Sequence, residues 1–291
     1  MKKILFLIII LLPLQNMAAT NVSGSVSGTW TMAGSPYLVT NAISVANGAT
    51  LRIQPGVDVI FQGFFNFNIA GTLIAVGSQA APITFKMNDT TGWYNDLQMA
   101  GGWRGIQFQS FAGGYDSSAL TYCIIQDVKH GLNGNANGKN ALAVNYRSLK
   151  ISNCTFFHNQ SAANQSDGKI ISVYLNAGQL VELLDCKVYD NISRVASVFL
   201  YGGKSNVSRN EIHDNQGGGT LWGLNGEATL LNNDFHHNVN VYDLATIKID
   251  GGKNTVRNNK IHHNESDRMG AVTCCNGRTG RCASVSTIAR A

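Results

Sequence analysis

Three histidines recur at one position of a repeated motif: His213 in "VSRNEIHDN", His236 in "LLNNDFHHN" and His262 in "VRNNKIHHN". The next position holds Asp214, His237 or His263, and an earlier copy, "LLDCKVYDN", carries Asp190 there. A column of imidazoles and carboxylates is ligand chemistry for zinc or copper, and the general affinity order favours copper. A second recurring set is aromatic. Tyr174, Phe199 and Trp222 each stand four residues before a glycine, with Tyr201 beside them. Rings exposed in a row mark an interaction surface, and their flat faces suit the C–H faces of sugars. The same phase holds Lys248, with Asp250 two residues on. That places one base and one acid on a common face, the minimum for proton transfer.

The elements that must position these residues are repeats. Five motifs close on Asn159, Asn191, Asn215, Asn238 and Asn264, at spacings of 32, 24, 23 and 26 residues. Five residues before each stands Cys154, Cys186, Asn210, Asn233 or Asn259, and three before stands Phe156, Val188, Ile212, Phe235 or Ile261. "LTYCIIQD", around Cys123, is a degenerate earlier copy. A second family of runs, "SVYLNAG", "SVFLYGG", "TLWGLNG", "TIKIDGG" and "AVTCCNG", alternates with period two and ends in glycine. Such alternation predicts strands, and Gly and Asn predict turns between them. Helical periodicity is absent.

Short strands recurring every ~25 residues predict a solenoid, because one unit cannot bury its apolar side without neighbours. Coils stacked ~4.8 Å apart would bring equivalent residues into ladders. The apolar ladder then points inward and the Asn side chains hydrogen-bond along the axis. His213, His236 and His262 point outward. The Asn-x-Ser sequences at Asn159, Asn191 and Asn264 therefore read as buried turns rather than glycan acceptors. In the second family Val173, Val198, Leu221 and Ile247 point inward, and the aromatic column points out.

With these ladders in place, the chain resembles the right-handed parallel β-helix repeat proteins of exported bacterial type, the pectin-lyase-like fold. "ISVANGATLRIQPGVDVIF", "IAGTLIAVGSQAAPITF" and "WRGIQF" are similar to the opening coils of such proteins, and the resemblance covers roughly residues 24–277. It implies an all-β, single-stranded right-handed parallel β-helix of about ten coils. It does not imply one activity, since this fold hosts lyases, hydrolases, adhesins and binding proteins. Lyases of the fold use Lys or Arg as base beside a uronate carboxylate, often with calcium held by acidic side chains. Here that points to Lys248 and Asp250, with Arg257 in the same repeat, and to no calcium cluster. The hydrolases of the fold use grouped aspartates, whereas Asp234 and Asp250 stand singly and no Gly-His-Gly is present.

Composition narrows the classes further. Of 291 residues 44% are hydrophobic and 13% charged, enough apolar material for a large core. The net charge of +5 is scattered, without the basic run expected of a nucleic-acid binder. "MKK", "ILFLIIILLPL" and "QNMAAT" form the three parts of a signal peptide over 1–19, with an apolar run shorter than a membrane span. Secretion or display at the cell surface follows as the expectation, with no membrane span. Cys123, Cys154 and Cys186 lie far apart and read as small buried thiols; Cys274, Cys275 and Cys282 cluster near the end. No paired Cys-x-x-Cys suggests zinc, and no cofactor is implied.

The domain is expected over 20–277, with Trp30 and Tyr37 available to cover its first coil. The tail 278–291 departs from the repeat, which suggests a truncated reading, end-to-end self-association at an uncapped last coil, or a tail bearing Arg278, Arg281 and Arg290 that folds over the opening. For the histidines, repetition favours a scaffold over a metal site, because ladder side chains run parallel and do not converge. For the aromatics, either a polysaccharide stacks on Tyr174, Phe199, Trp222 and Tyr201, or the loop "QSAANQSDGK" (160–169) covers them. The reading that results is a non-catalytic polysaccharide-binding module. A lyase acting on uronate-containing glycans is the alternative, and a structural or adhesive spacer the third.

Overall fold

A computed structural model describes residues 19–95, 98–111, 116–129, 140–161, 168–240 and 245–266, and the backbone of 272–275. The termini, including the expected signal peptide and the tail 278–291, lie outside the described residues. Among those described, 28 strands pair in parallel only, and the sole helical element is the single 3₁₀ turn Met32–Gly34. No described helix is long and apolar enough to cross a membrane.

The chain winds as a solenoid with three strand positions per coil. On the first face the inward ladder runs Tyr37, Val59, Phe85, Ile125, Phe156, Val188, Ile212, Phe235 and Ile261, all buried. The inward position expected from the repeat is thus correct and extends three coils before the Cys123 copy. The second face stacks Ile43, Phe67, Ile106, Leu142, Ile171, Val198, Leu221 and Ile247. The third stacks Trp30, Ile53, Ala75, Leu120, Ile151, Leu183, Val207, Leu230 and Val256. These ladders meet in one continuous core. Trp30 and Tyr37 stack at 4.5 Å over its N-terminal end.

Corners are made by residues in the left-handed region. Asp127, His158, Asp190, Asp214, His237 and His263 occupy one corner on successive coils, with φ between 52° and 62°. Tyr122, Asn153, Asp185, Arg209, Asn232 and Asn258 occupy a second. Asn, Asp and His tolerate this conformation better than most residues, so Asp and His fill the first corner and Asn recurs at the second.

Directly after each corner comes a polar ladder that satisfies the bent backbone. The N–H of Asn159, Asn191, Asn215 and Asn238 each donates to Oδ1 of the Asn one coil on, at 2.9–3.2 Å. These are the sequence spacings of 32, 24, 23 and 26. Asn210, Asn233 and Asn259 form the second ladder. It continues through thiols: the Cys186 N–H donates to Asn210 Oδ1, and the Cys154 and Cys123 N–H groups donate to Sγ of Cys186 and Cys154. All three cysteines are free and buried, as expected.

Burial pushes the Cys154 and Cys186 thiols well up, and each is raised further by the thiol one coil before it, Cys123 for Cys154 and Cys154 for Cys186. A thiol whose folded pKa is raised contributes stability that is intact below the unfolded value, near ~8.5, and is lost as pH rises beyond it. Alkaline conditions above about pH 9 should therefore lower the denaturation midpoint. Cys154→Ala should flatten that dependence, and a midpoint falling equally with pH in both proteins would refute the assignment.

Candidate functional site

The second face displays the residues singled out as a sugar-binding column, and the structure rearranges them. Phe199, Trp222, Lys248 and Thr273 are indeed in register. Tyr174 is not. Its partner is Tyr201, while Ser172 faces Phe199. Strand Lys169–Leu184 carries a register shift between Leu175 and Leu180, so Gly178 is not the equivalent of Gly203. The resulting error is two residues, which leaves every side chain on its own face and is therefore invisible to alternation. Tyr174 still lies 5.5 Å from Phe199 and 5.8 Å from Tyr201, centroid to centroid.

A second correction concerns exposure. Phe199 points away from the core, yet is only 5% exposed. Gln107, Ala143 and Ser172, at the same phase on preceding coils, are buried too. Lys169, at the end of the 160–169 segment, sets its ammonium 4.6 Å over the Phe199 ring and 3.2 Å from the Tyr174 hydroxyl. Residues 162–167 lie outside the described residues. The stripe that reaches solvent is thus Tyr174, Tyr201 and Trp222 without Phe199, with Tyr201 38% exposed and the other two half-buried.

Lys248 closes the stripe. Its Nζ lies 4.8 Å from the Trp222 ring and 3.3 Å from Asp250 Oδ2. Trp222 Nε1 and Asp250 Oδ1 are buried without a hydrogen-bond partner. The expected association of Lys248 with Asp250 is present, but as a closed ion pair. An amine acting as base would first have to leave it. The other acid noted in the sequence, Asp234, is elsewhere, bonded to His262.

On the first face the outward column is a stack of parallel rings: Phe157, Tyr189, His213, His236 and His262, at centroid separations of 4.8–5.3 Å. The histidines expected to align do so, and along the column they run parallel. Within a coil they do not. The left-handed corner swings the following side chain back, so His236 Nδ1 meets His237 Nδ1 at 2.8 Å and His262 Nδ1 meets His263 Nδ1 at 2.8 Å. His213 Nδ1 meets Asp214 Oδ2 at 2.6 Å. Sequence reasoning missed this convergence because it treated the corner as a continuation of the strand. Burial, and then the neighbouring His213, hold the His236 imidazole below its usual pKa.

A family model described as a right handed beta helix region matches residues 140–286. The chain belongs to that family. Its handedness and the parallel pairing of every described strand agree with the fold the sequence resembled. No curated protein and no solved structure matches the chain. The β-helix therefore carries an assigned architecture, and its chemistry rests on its own side chains.

Proposed function

We propose that this β-helix is an exported, non-catalytic module that binds polysaccharide across the face bearing Tyr174, Tyr201 and Trp222. One observation carries the reading: rings accessible on three successive coils adjoin the partly exposed Lys248–Asp250 ion pair. Sugar hydroxyls both donate and accept, which suits that pair, while the C–H faces of a sugar suit the rings. From the coil of Tyr174 to that of Lys248 is three steps, or ~14 Å along the axis, room for several units of a chain lying lengthwise. Export rests on the basic, apolar and small-residue segments of 1–19.

Binding is preferred over lyase activity because Lys248 is already engaged by Asp250 and Trp222. Affinity electrophoresis of the protein in gels cast with acidic and neutral polysaccharides tests this, alongside the ultraviolet absorbance of unsaturated uronate products. Retardation without absorbance is expected with at least one glycan. Trp222→Ala should weaken it by roughly tenfold or more, as for other buried aromatic anchors. Rising absorbance that Lys248→Ala abolishes would replace binding with catalysis, and migration unaffected by every glycan would leave a spacer.

A further inference from the structure

The adjacent histidines of the first face have a geometry that the proposed glycan surface does not use. His262 Nε2 lies 2.9 Å from Asp234 Oδ1, and His236 Nε2 lies 3.5 Å from Glu211 Oε1. A carboxylate accepts only, so in the neutral imidazole its partner Nε2 carries the hydrogen and Nδ1 keeps a lone pair. Carboxylates in this role are the usual second shell of metal-bound histidine. Each of these Nδ1 atoms accepts a hydrogen bond from Nδ1–H of His237 or His263 at 2.8 Å, and when that exposed ring carries its hydrogen on Nε2 instead, both Nδ1 lone pairs are free for one ion. With metal–nitrogen bonds of ~2.0–2.1 Å, two ligands at a right angle stand about 2.9 Å apart, while tetrahedral ligands stand about 3.3 Å apart. A hydrogen-bonded pair at 2.8 Å has to open by only about 0.1 Å to span a right-angled site, and by about 0.5 Å to span a tetrahedral one.

We infer that His236 with His237, and His262 with His263, each chelate one divalent transition-metal ion of tetragonal preference, copper(II) foremost. Among divalent first-row ions copper(II) has both this geometry and the highest general affinity for imidazole. Among the described residues no three His, Cys, Asp or Glu side chains form a group able to hold a metal. Each pair therefore supplies two protein ligands, and water takes the remaining positions; His237 and His263 are exposed, which leaves room for it. The two ions would sit on successive coils, at the ~5.1 Å spacing of the His237 and His263 rings. In the coil before, Asp214 replaces the second imidazole and bonds His213 directly, so that pair offers one nitrogen and one oxygen and is the weaker chelate.

Copper(II) alone, titrated calorimetrically into the full protein purified without a histidine tag, tests the inference, with electron paramagnetic resonance reporting the ligands. The wild type should take up about two ions with imidazole-nitrogen coupling. His237→Asn and His263→Asn should each remove one of them, and the double variant both. Asparagine is chosen because Asn153, Asn232 and Asn258 already hold left-handed corners in this chain, so the fold is kept; circular dichroism checks this. Asp234→Asn should weaken the His262–His263 ion about tenfold or more without changing the number bound, the usual effect of removing a second-shell carboxylate. Sites elsewhere, such as the terminal amine, are common to all variants and cancel. Uptake unchanged in the double variant, absence of nitrogen coupling, or no uptake at all would overturn the assignment.

Discussion

Asn238→Ala is expected to lower stability by roughly 3–5 kcal/mol, from several hydrogen bonds lost at about 0.5–1.5 kcal/mol each and buried groups left unpaired at about 1–3 kcal/mol. Asn238 is fully buried. Its Oδ1 accepts from the Asn215 N–H at 3.2 Å and from Asn215 Nδ2 at 2.9 Å. Its Nδ2 donates to the Ile212 and His236 carbonyls at 2.9 and 3.1 Å, and to Asn264 Oδ1 at 2.8 Å. Alanine removes all of these; on the preceding coil it leaves the Asn215 N–H buried and unpaired and takes one partner each from Asn215 Nδ2 and the Ile212 carbonyl. Because a solenoid is coupled chiefly between neighbours, the loss should be local. Hydrogen exchange should accelerate most in the coils of Asn215 and Asn264, and the urea midpoint should fall. Asn264→Ala, at a half-buried position, should cost distinctly less. Equal costs, or a loss at Asn238 under about 1 kcal/mol, would mean that the ladder records the fold without holding it.

Arg147→Met should destabilise the protein by about 3–5 kcal/mol, the usual result of removing one partner of a buried ion pair. The guanidinium is 1% exposed. It pairs with Asp116, donates from Nη1 to the Ile69 carbonyl at 3.1 Å and from Nη2 to Gly71 O at 2.9 Å, and lies between the Phe108 and Phe111 rings. Burial pulls its pKa below the usual range, with Asp116 opposing that pull. Methionine fills part of the volume but strands the Asp116 carboxylate, whose side chain is 5% exposed. Adding Asp116→Leu to Arg147→Met should therefore recover part of the loss. A double variant no more stable than the single one would show that the carbonyl contacts, and not the orphaned charge, carry the cost.

Neither of these residues was equally visible beforehand. Asn238 announced itself, because an Asn recurring at one phase of a repeat has a ladder as its natural explanation. Arg147 did not. It belongs to no repeated phase, and its partners are 29 to 78 residues away in sequence. The same distinction runs through the candidate site. The alignment of His213, His236 and His262 followed from spacing, as did the pairing of Lys248 with Asp250. The burial of Phe199 and the closeness of His262 to His263 did not follow.

What the sequence determined by itself was the period, the inward ladders of its two repeated strand families and the faces on which the outward residues stand. Apolar alternation and recurring Asn act between equivalent positions, and a repeat states those positions outright. The tertiary structure alone decided three further matters. A bulge before Leu180 moved Tyr174 against its neighbours by two residues, a shift that conserves facing and so leaves no trace in a period-two pattern. The Lys169 ammonium lies over Phe199, a contact made by the first residue of strand Lys169–Leu184 that no recurring phase announces. The left-handed corners turned consecutive histidines toward each other, because a positive φ at the second residue breaks the alternation that would have held them apart.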